Sequence, residues 1–195
     1  MTITNGYCTL EQLSSVLDMG TVSSYDTELE LVIESISRGI DDYCSRRFYT
    51  TDADETRYFT AISNNECKID ELLSITSLKT DDDLDGTYEI TWASGDYNLF
   101  PYNASQYSFI ETTPLGSYLF LKNARKNVQV VGKFGYSATA PKNITQACIM
   151  QSERFFKRRD APLGIAGTTQ FGLVKLIGDF DPDVQFFLRP FVRYT

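Results

Sequence analysis

Residues 141–159, PKNITQACIMQSERFFKRR, carry the pattern from which the fold is read. Ile144, Ala147, Cys148, Gln151 and Phe155 recur at the i, i+3, i+4 spacing of one helical face, and only Gln151 among them is polar. The spacing predicts an amphipathic helix over 141–159. Pro141 is expected in its first turn, where a missing N–H costs no intrahelical bond. Lys157, Arg158 and Arg159 fall in the last turn, where the helix dipole favours cations. Pro162 and Gly164 then end the helix. The three cations read as a charge cap or as one end of an interface.

Two further helices lie at the start of the chain. Thr9–Leu10–Glu11–Gln12 has the form of a capping box, and Leu10, Leu13, Val16 and Leu17 follow at helical spacing, predicting a helix over about 9–18. Asp26 or Ser24 is expected to cap a longer helix over 26–46. There Leu29, Val32, Ile33, Ile36, Ile40 and Tyr43 form an apolar stripe.

Between Thr56 and Tyr136 the period changes. RYFTA, LLSITSLKT, TYEITWA, YNLFPYN, QYSFIE, GSYLFL and NVQVVGKFGYS are short, aromatic and β-branched, and turn formers separate most of them. Tyr88, Ile90 and Trp92 alternate onto one face, and Val128, Val130 and Phe134 onto another. Asp81–Gly86, Ser94–Asp96 and Asn123–Asn127 are the expected turns, and antiparallel pairing is the natural result. The expected fold is α+β: a small helical bundle of about three main helices, with an inserted antiparallel β domain and an extended C-terminal tail. The expected boundaries are 1–55 and 137–160 for the bundle, 56–136 for the β insertion and 161–195 for a loop and tail. In that last part, 161–169 reads as a mobile loop, Phe171–Ile177 as a possible strand, and Asp181–Pro182–Asp183 as the start of a final helical turn.

Composition narrows the function. The chain has 195 residues and no His, which removes His-dependent triads, the commonest zinc sites and His-based pH switching. No catalytic motif occurs. Four Cys at 8, 44, 67 and 148 show no CxxC and are expected to be free, partly buried thiols. No apolar run exceeds four residues, and the first ten residues lack the form of a secretory signal, so a cytoplasmically made protein with no membrane span is expected. Residues 1–111 hold 6 basic and 21 acidic side chains, and residues 112–195 hold 12 and 5, which leaves a net charge of −8. That asymmetry suits a polar assembly surface and argues against tight DNA binding.

Two candidate sites remain. TDDDLDGTYE at 80–89 places Asp81, Asp83, Asp85 and Gly86 as in a calcium loop, but the twelfth position is Trp92 instead of Glu. An acidic solvated turn with weak calcium binding at most is expected. The C-terminal segment gathers Phe180, Phe186, Phe187, Phe191 and Tyr194 with Arg189 and Arg193. Such a set packs on the protein's own body or docks on a partner.

The stretches YCTLEQLSSVL (7–17), IDDYCSRRF (40–48), FGYSATAPKNITQA (134–147) and FFKRRDAPLG (155–164) together resemble the head–tail connector proteins of tailed bacteriophages and gene transfer agents, also called adaptor or head-completion proteins. The resemblance covers residues 7–48 and 134–165 and reaches the β segment only in character. It implies a non-enzymatic virion protein without cofactors. Its copies would form a ring, twelve-fold by portal symmetry, beneath the portal protein, extending the DNA channel and offering a surface to tail-side connector or stopper proteins. In that family the C-terminal segment engages the portal. Phe186, Phe187, Arg189, Phe191, Arg193 and Tyr194, with Lys157, Arg158 and Arg159, are therefore the expected partner-binding residues. Passing duplex DNA would be repelled by the acidic surface without sequence-specific binding. The alternatives are a calcium- or ligand-binding β module of a phage or surface structure, an enzyme with an unrecognised carboxylate site, and a tail-side stopper or terminator.

Overall fold

A computed structural model describes residues 3–20, 23–159, 165–166, 174–175 and 180–193. The α+β class expected from the sequence is present, and the chain divides into two compact units, Met1–Arg46 with Ala140–Thr195, and Arg47–Thr139.

The helical unit is built on α1 (Leu10–Val16), α2 (Asp26–Cys44) and α3 (Lys142–Arg158). The Thr9 hydroxyl accepts from Gln12 N while the Gln12 side chain accepts from Thr9 N, so the capping box forms. The cap expected at Ser24 or Asp26 does not. Tyr25 is the N-cap of α2 and makes no side-chain capping bond. Likewise Pro141 stands just outside α3, in extended conformation, as its N-cap.

Leu29, Val32, Ile33, Ser37, Ile40 and Cys44 are the buried stripe of α2. Ile36 and Tyr43, expected in that stripe, are only half-buried and 39% exposed, respectively. On α3 the buried positions are Ile144, Ala147, Cys148, Gln151, Ser152 and Phe156. Phe155, expected inside, is 51% exposed. Neighbouring residues on a helix point about 100° apart, so Phe155 and Phe156 cannot both face the core. The small Ser37 and Ser152 take the places a bulky stripe residue would have filled.

The residues before α1 form a strap along α2. Thr4 N donates to Glu34 Oε1 at 2.6 Å, Arg38 Nη2 to the Asn5 carbonyl at 2.8 Å, and Tyr7 N to Ser37 Oγ at 3.0 Å. Tyr7 Oη also bonds the buried Asp41 carboxylate, which Arg38 balances at 3.0 Å.

The C-terminal segment is not the extended tail that was expected. Asp181 caps a helix α4 (Pro182–Leu188), where the expected last helical turn begins, and a 3-10 turn follows at Arg189–Phe191. Val184 and Leu188 are fully buried. The loop and strand expectations between 161 and 177 fall largely outside the described residues. Within them, β7 (Ile165–Ala166) pairs antiparallel with β8 (Val174–Lys175), two residues each.

The other unit is a six-stranded antiparallel sheet of β1 (Glu55–Phe59), β2 (Glu66–Thr80), β3 (Ile90–Thr91), β4 (Tyr97–Phe100), β5 (Tyr107–Thr112) and β6 (Val128–Phe134). Its order is β1-β6-β2-β5-β4, with β3 on β2. The 15-residue β2 organises the sheet: its first part pairs with β5 and its later part with β6 and β3. Register shifts between Leu72 and Ser74 and between Ile75 and Ser77 bend it, as bulges do. Gly132 of β6 sits opposite that bend, where an added Cβ would lie 2.1 Å from the Ser74 carbonyl oxygen.

Val128, Val130 and Phe134 share the buried face, as their alternation predicts, and pack with Leu72, Leu78 and Ile110. GSYLFL is not a strand. Phe120 alone turns in and stacks on Trp92 at 4.6 Å, while Leu119 stays 59% exposed. Asp96 holds the neighbouring turns by accepting from Ala93 N and Ser117 N, each at 2.9 Å.

Candidate functional site

The described C-terminal residues are fixed to the helical unit by polar and aromatic contacts. Arg154 of α3 pairs with Asp181, and with Asp183 at 3.3 Å. Gln151 Oε1 accepts from Asp181 N at 3.3 Å, and Gln185 Nε2 donates to the Phe180 carbonyl at 2.7 Å. Phe180 meets Tyr43 edge-on at 5.4 Å. Its ring can approach α2 because residue 39 is Gly; a Cβ there would lie 3.3 Å from the Phe180 ring tip. Val184 and Leu188 turn inward one helical turn apart. Phe186, about 200° round the helix from Val184, must point away, and it is 74% exposed.

This packing leaves a grooved surface across α2, α3 and α4. One hollow of about 590 Å³ is lined by Ile36, Tyr43, Phe155, Arg158 and Phe180, among others. A second, of about 560 Å³, shares Tyr43 and Gln185 and adds Phe186, Arg189 and Val192. A third, of about 350 Å³, shares Phe155 and Arg158 and adds Arg159 and Glu28. Aromatic rings and guanidinium groups therefore line one face, the residue types that anchor protein interfaces.

The expected partner-binding residues separate on this surface. Phe186 and Arg189 are exposed and line the same hollow, while Phe187, Phe191 and Arg193 are half-buried. Tyr194 lies outside the described residues. Arg158 faces two of the hollows. Lys157 is 62% exposed and pairs with Glu153 at 2.6 Å. Arg159 is engaged within the fold: it pairs with Glu28 at 3.1 Å and lies over the Tyr25 and Phe156 rings at 4.6 and 4.3 Å. Sequence reasoning missed Phe155 and Tyr43 as surface residues. The signal was there in Phe155–Phe156, two adjacent rings of which a helix can bury one.

The acidic turn is arranged differently from its expected ligand set. Asp81, Asp83 and Glu89 bring one carboxylate oxygen each within 4.8 Å of one another. Asp85 instead accepts from Thr87 N at 2.7 Å. Glu89 is the ninth position counted from Asp81, a ligand position in calcium loops, and that count could have found it. Asp81 is 4% exposed, and both of its oxygens serve the loop backbone, accepting from Leu84 N at 2.7 Å and Gly86 N at 2.8 Å.

No family model and no curated protein matches the chain. Among solved structures, a chain from the "Neck of empty GTA particle computed with C6 symmetry" is similar over 100% of this chain and 94% of its own length, with a TM-score of 0.64 and 15% identity. The two share a fold. None of the helices described is long and apolar enough to cross a membrane.

Proposed function

We propose that the protein is a structural head–tail connector of a tailed phage or gene transfer agent particle, an adaptor whose copies form a ring beneath the portal. The observation that carries this reading is the full-length likeness to a neck chain, which takes in the β unit as well as both helical ends. The connector-like stretches at 7–48 and 134–165, an independent signal, support it. In this reading the protein works as a spacer and docking surface, not as an enzyme. Portal protein engages the face around Phe186, Arg189 and Arg158, and tail-side components bind elsewhere on the ring. The acidic excess of residues 1–111 keeps passing DNA from adhering. The likened neck was computed with C6 symmetry. Sixfold averaging accommodates rings of six or twelve, and twelve copies match the expected portal symmetry. A ring also multiplies each weak docking contact by its copy number.

The test is negative-stain imaging of the purified protein mixed with portal protein, with co-sedimentation on portal-bearing heads as the quantitative readout. Rings should appear on the portal, and Phe186→Ser with Arg189→Glu should abolish co-sedimentation while circular dichroism stays unchanged. Full occupancy by that double variant removes this face as the docking element. No ring on the portal under any condition removes the connector reading.

A further inference from the structure

The strap before α1 ends at Cys8, and the Sγ of Cys8 lies 3.5 Å from the Sγ of Cys148 in α3. Both side chains are buried, Cys8 at 5% and Cys148 at 0% exposure. We propose that Cys8 and Cys148 are a redox modification site: hydrogen peroxide converts them to a disulfide that staples the N-terminal strap to α3.

Two sulfurs at 3.5 Å are in van der Waals contact, and a disulfide at about 2.05 Å needs roughly 1.5 Å of further approach. The strap can supply that movement, because it is held to α2 by hydrogen bonds and not by a helix of its own. A pair of thiols that merely filled space would need no polar neighbours. Here the Cys148 sulfur has Ser37 Oγ at 3.5 Å and Ser152 Oγ at 3.9 Å besides Cys8. Hydrogen bonding from Cys8, helped by Ser37, Ser152 and the Tyr7 N–H, holds the Cys148 thiol below its ordinary range, whereas its partner Cys8 is pushed up. We assign the attack to Cys148, whose sulfur has two hydroxyl oxygens beside it, and the resolving role to Cys8, whose sulfur faces only Cys148.

The chemistry balances. The Cys148 thiolate attacks one peroxide oxygen, so an S–O bond forms, the O–O bond breaks and hydroxide leaves. Cys8 sulfur then attacks the Cys148 sulfur, forming S–S and breaking S–O, and its thiol proton leaves with the departing hydroxide as water. In sum, two thiols and one peroxide give one disulfide and two waters.

The site is independent of the connector role. Reduced full-length protein is treated with excess hydrogen peroxide, quenched, unfolded, alkylated and mapped by mass spectrometry without reduction. The Cys8 and Cys148 peptides should be joined, with Cys44 and Cys67 alkylated, and reductant should separate them. Closing a loop this long should raise Tm by about 5 °C or more. In Cys8→Ser, dimedone should trap a sulfenic acid at Cys148. The wild-type map decides by itself if that variant folds poorly. Four alkylatable thiols after treatment, a linkage through Cys44 or Cys67, or Cys148 over-oxidised beside a free Cys8 would each overturn the proposal.

Discussion

The backbone N–H of Arg193 donates to the carbonyl oxygen of Cys44 at 3.0 Å. A helix leaves its last four carbonyls without internal partners, and here the end of the chain returns to satisfy one of them. The C-terminal segment is thus part of the fold of the helical unit and holds Phe186 and Arg189 outward from that base. Leu188→Ala should destabilise the protein by about 2–5 kcal/mol, whereas Phe186→Ala should stay within about 0.5 kcal/mol. Urea denaturation checks both. Equal midpoints for the two variants would mean that α4 is not core.

Ile33 and Ile36 stand three residues apart on α2, yet Ile33 is fully buried and Ile36 lines the open groove. Ile33→Asp buries a charge with no partner and should cost several kcal/mol, a large share of a domain's stability. Ile36→Asp can reach solvent and should cost about 1–2 kcal/mol. Thermal melts of the pair are expected to be well separated.

Much of this was legible in the sequence, and the exceptions have physical reasons. The three helices appear because leucines, isoleucines and alanines recur at the helical period, and the last helix announces itself through Asp181–Pro182. The inward choice between Phe155 and Phe156 was hidden, since each extends the stripe by one turn from a buried neighbour, Gln151 or Ser152. In β2, Glu66, Lys68 and Asp70 alternate with the buried Cys67 and Ile69. A strand was present there, but its charged outer face masked it. Conversely, YLFL has the hydrophobicity of a strand, yet only Phe120 turns inward, and its N–H donates to the Asn64 carbonyl of a loop instead of to a strand. The site's residue types were readable near the C-terminus. Which rings face outward depended on the 100° step of α4 once Val184 and Leu188 had turned in.

The acidic turn should bind calcium with a Kd weaker than about 10⁻⁵ M, because Asp81 already spends both oxygens on loop N–H groups and Trp92 supplies no ligand. Isothermal titration calorimetry with calcium alone measures this. A tighter site would require the loop to release the Leu84 and Gly86 amides, and Asp81→Asn would then abolish it.

Burial pushes the Cys44 thiol up to about 11 and that of Cys67 up to about 12. Both thiols stay neutral in the folded state while the unfolded chain ionises near pH 8.5. Their contribution to stability is complete below that pH and is lost as pH rises toward 11–12. Iodoacetamide at pH 8 should therefore label neither residue until the protein unfolds. Denaturation midpoints should fall between pH 9 and 11 more steeply in the wild type than in Cys67→Ala, whose core loses the titrating group.

At the base of the β unit the incoming and outgoing chains run side by side. Thr50 bridges to Gly135, Thr51 N donates to the Phe134 carbonyl at 2.9 Å, and a Cβ on Gly135 would meet the Tyr49 carbonyl oxygen at 2.1 Å. A segment whose two ends are clamped together behaves as a cassette. Evolution could lengthen, shorten or exchange the segment beyond that clamp while the paired ends at Thr50 and Gly135 stay as they are. An engineer could do the same, splicing a short turn in its place or moving the sheet intact into another host protein.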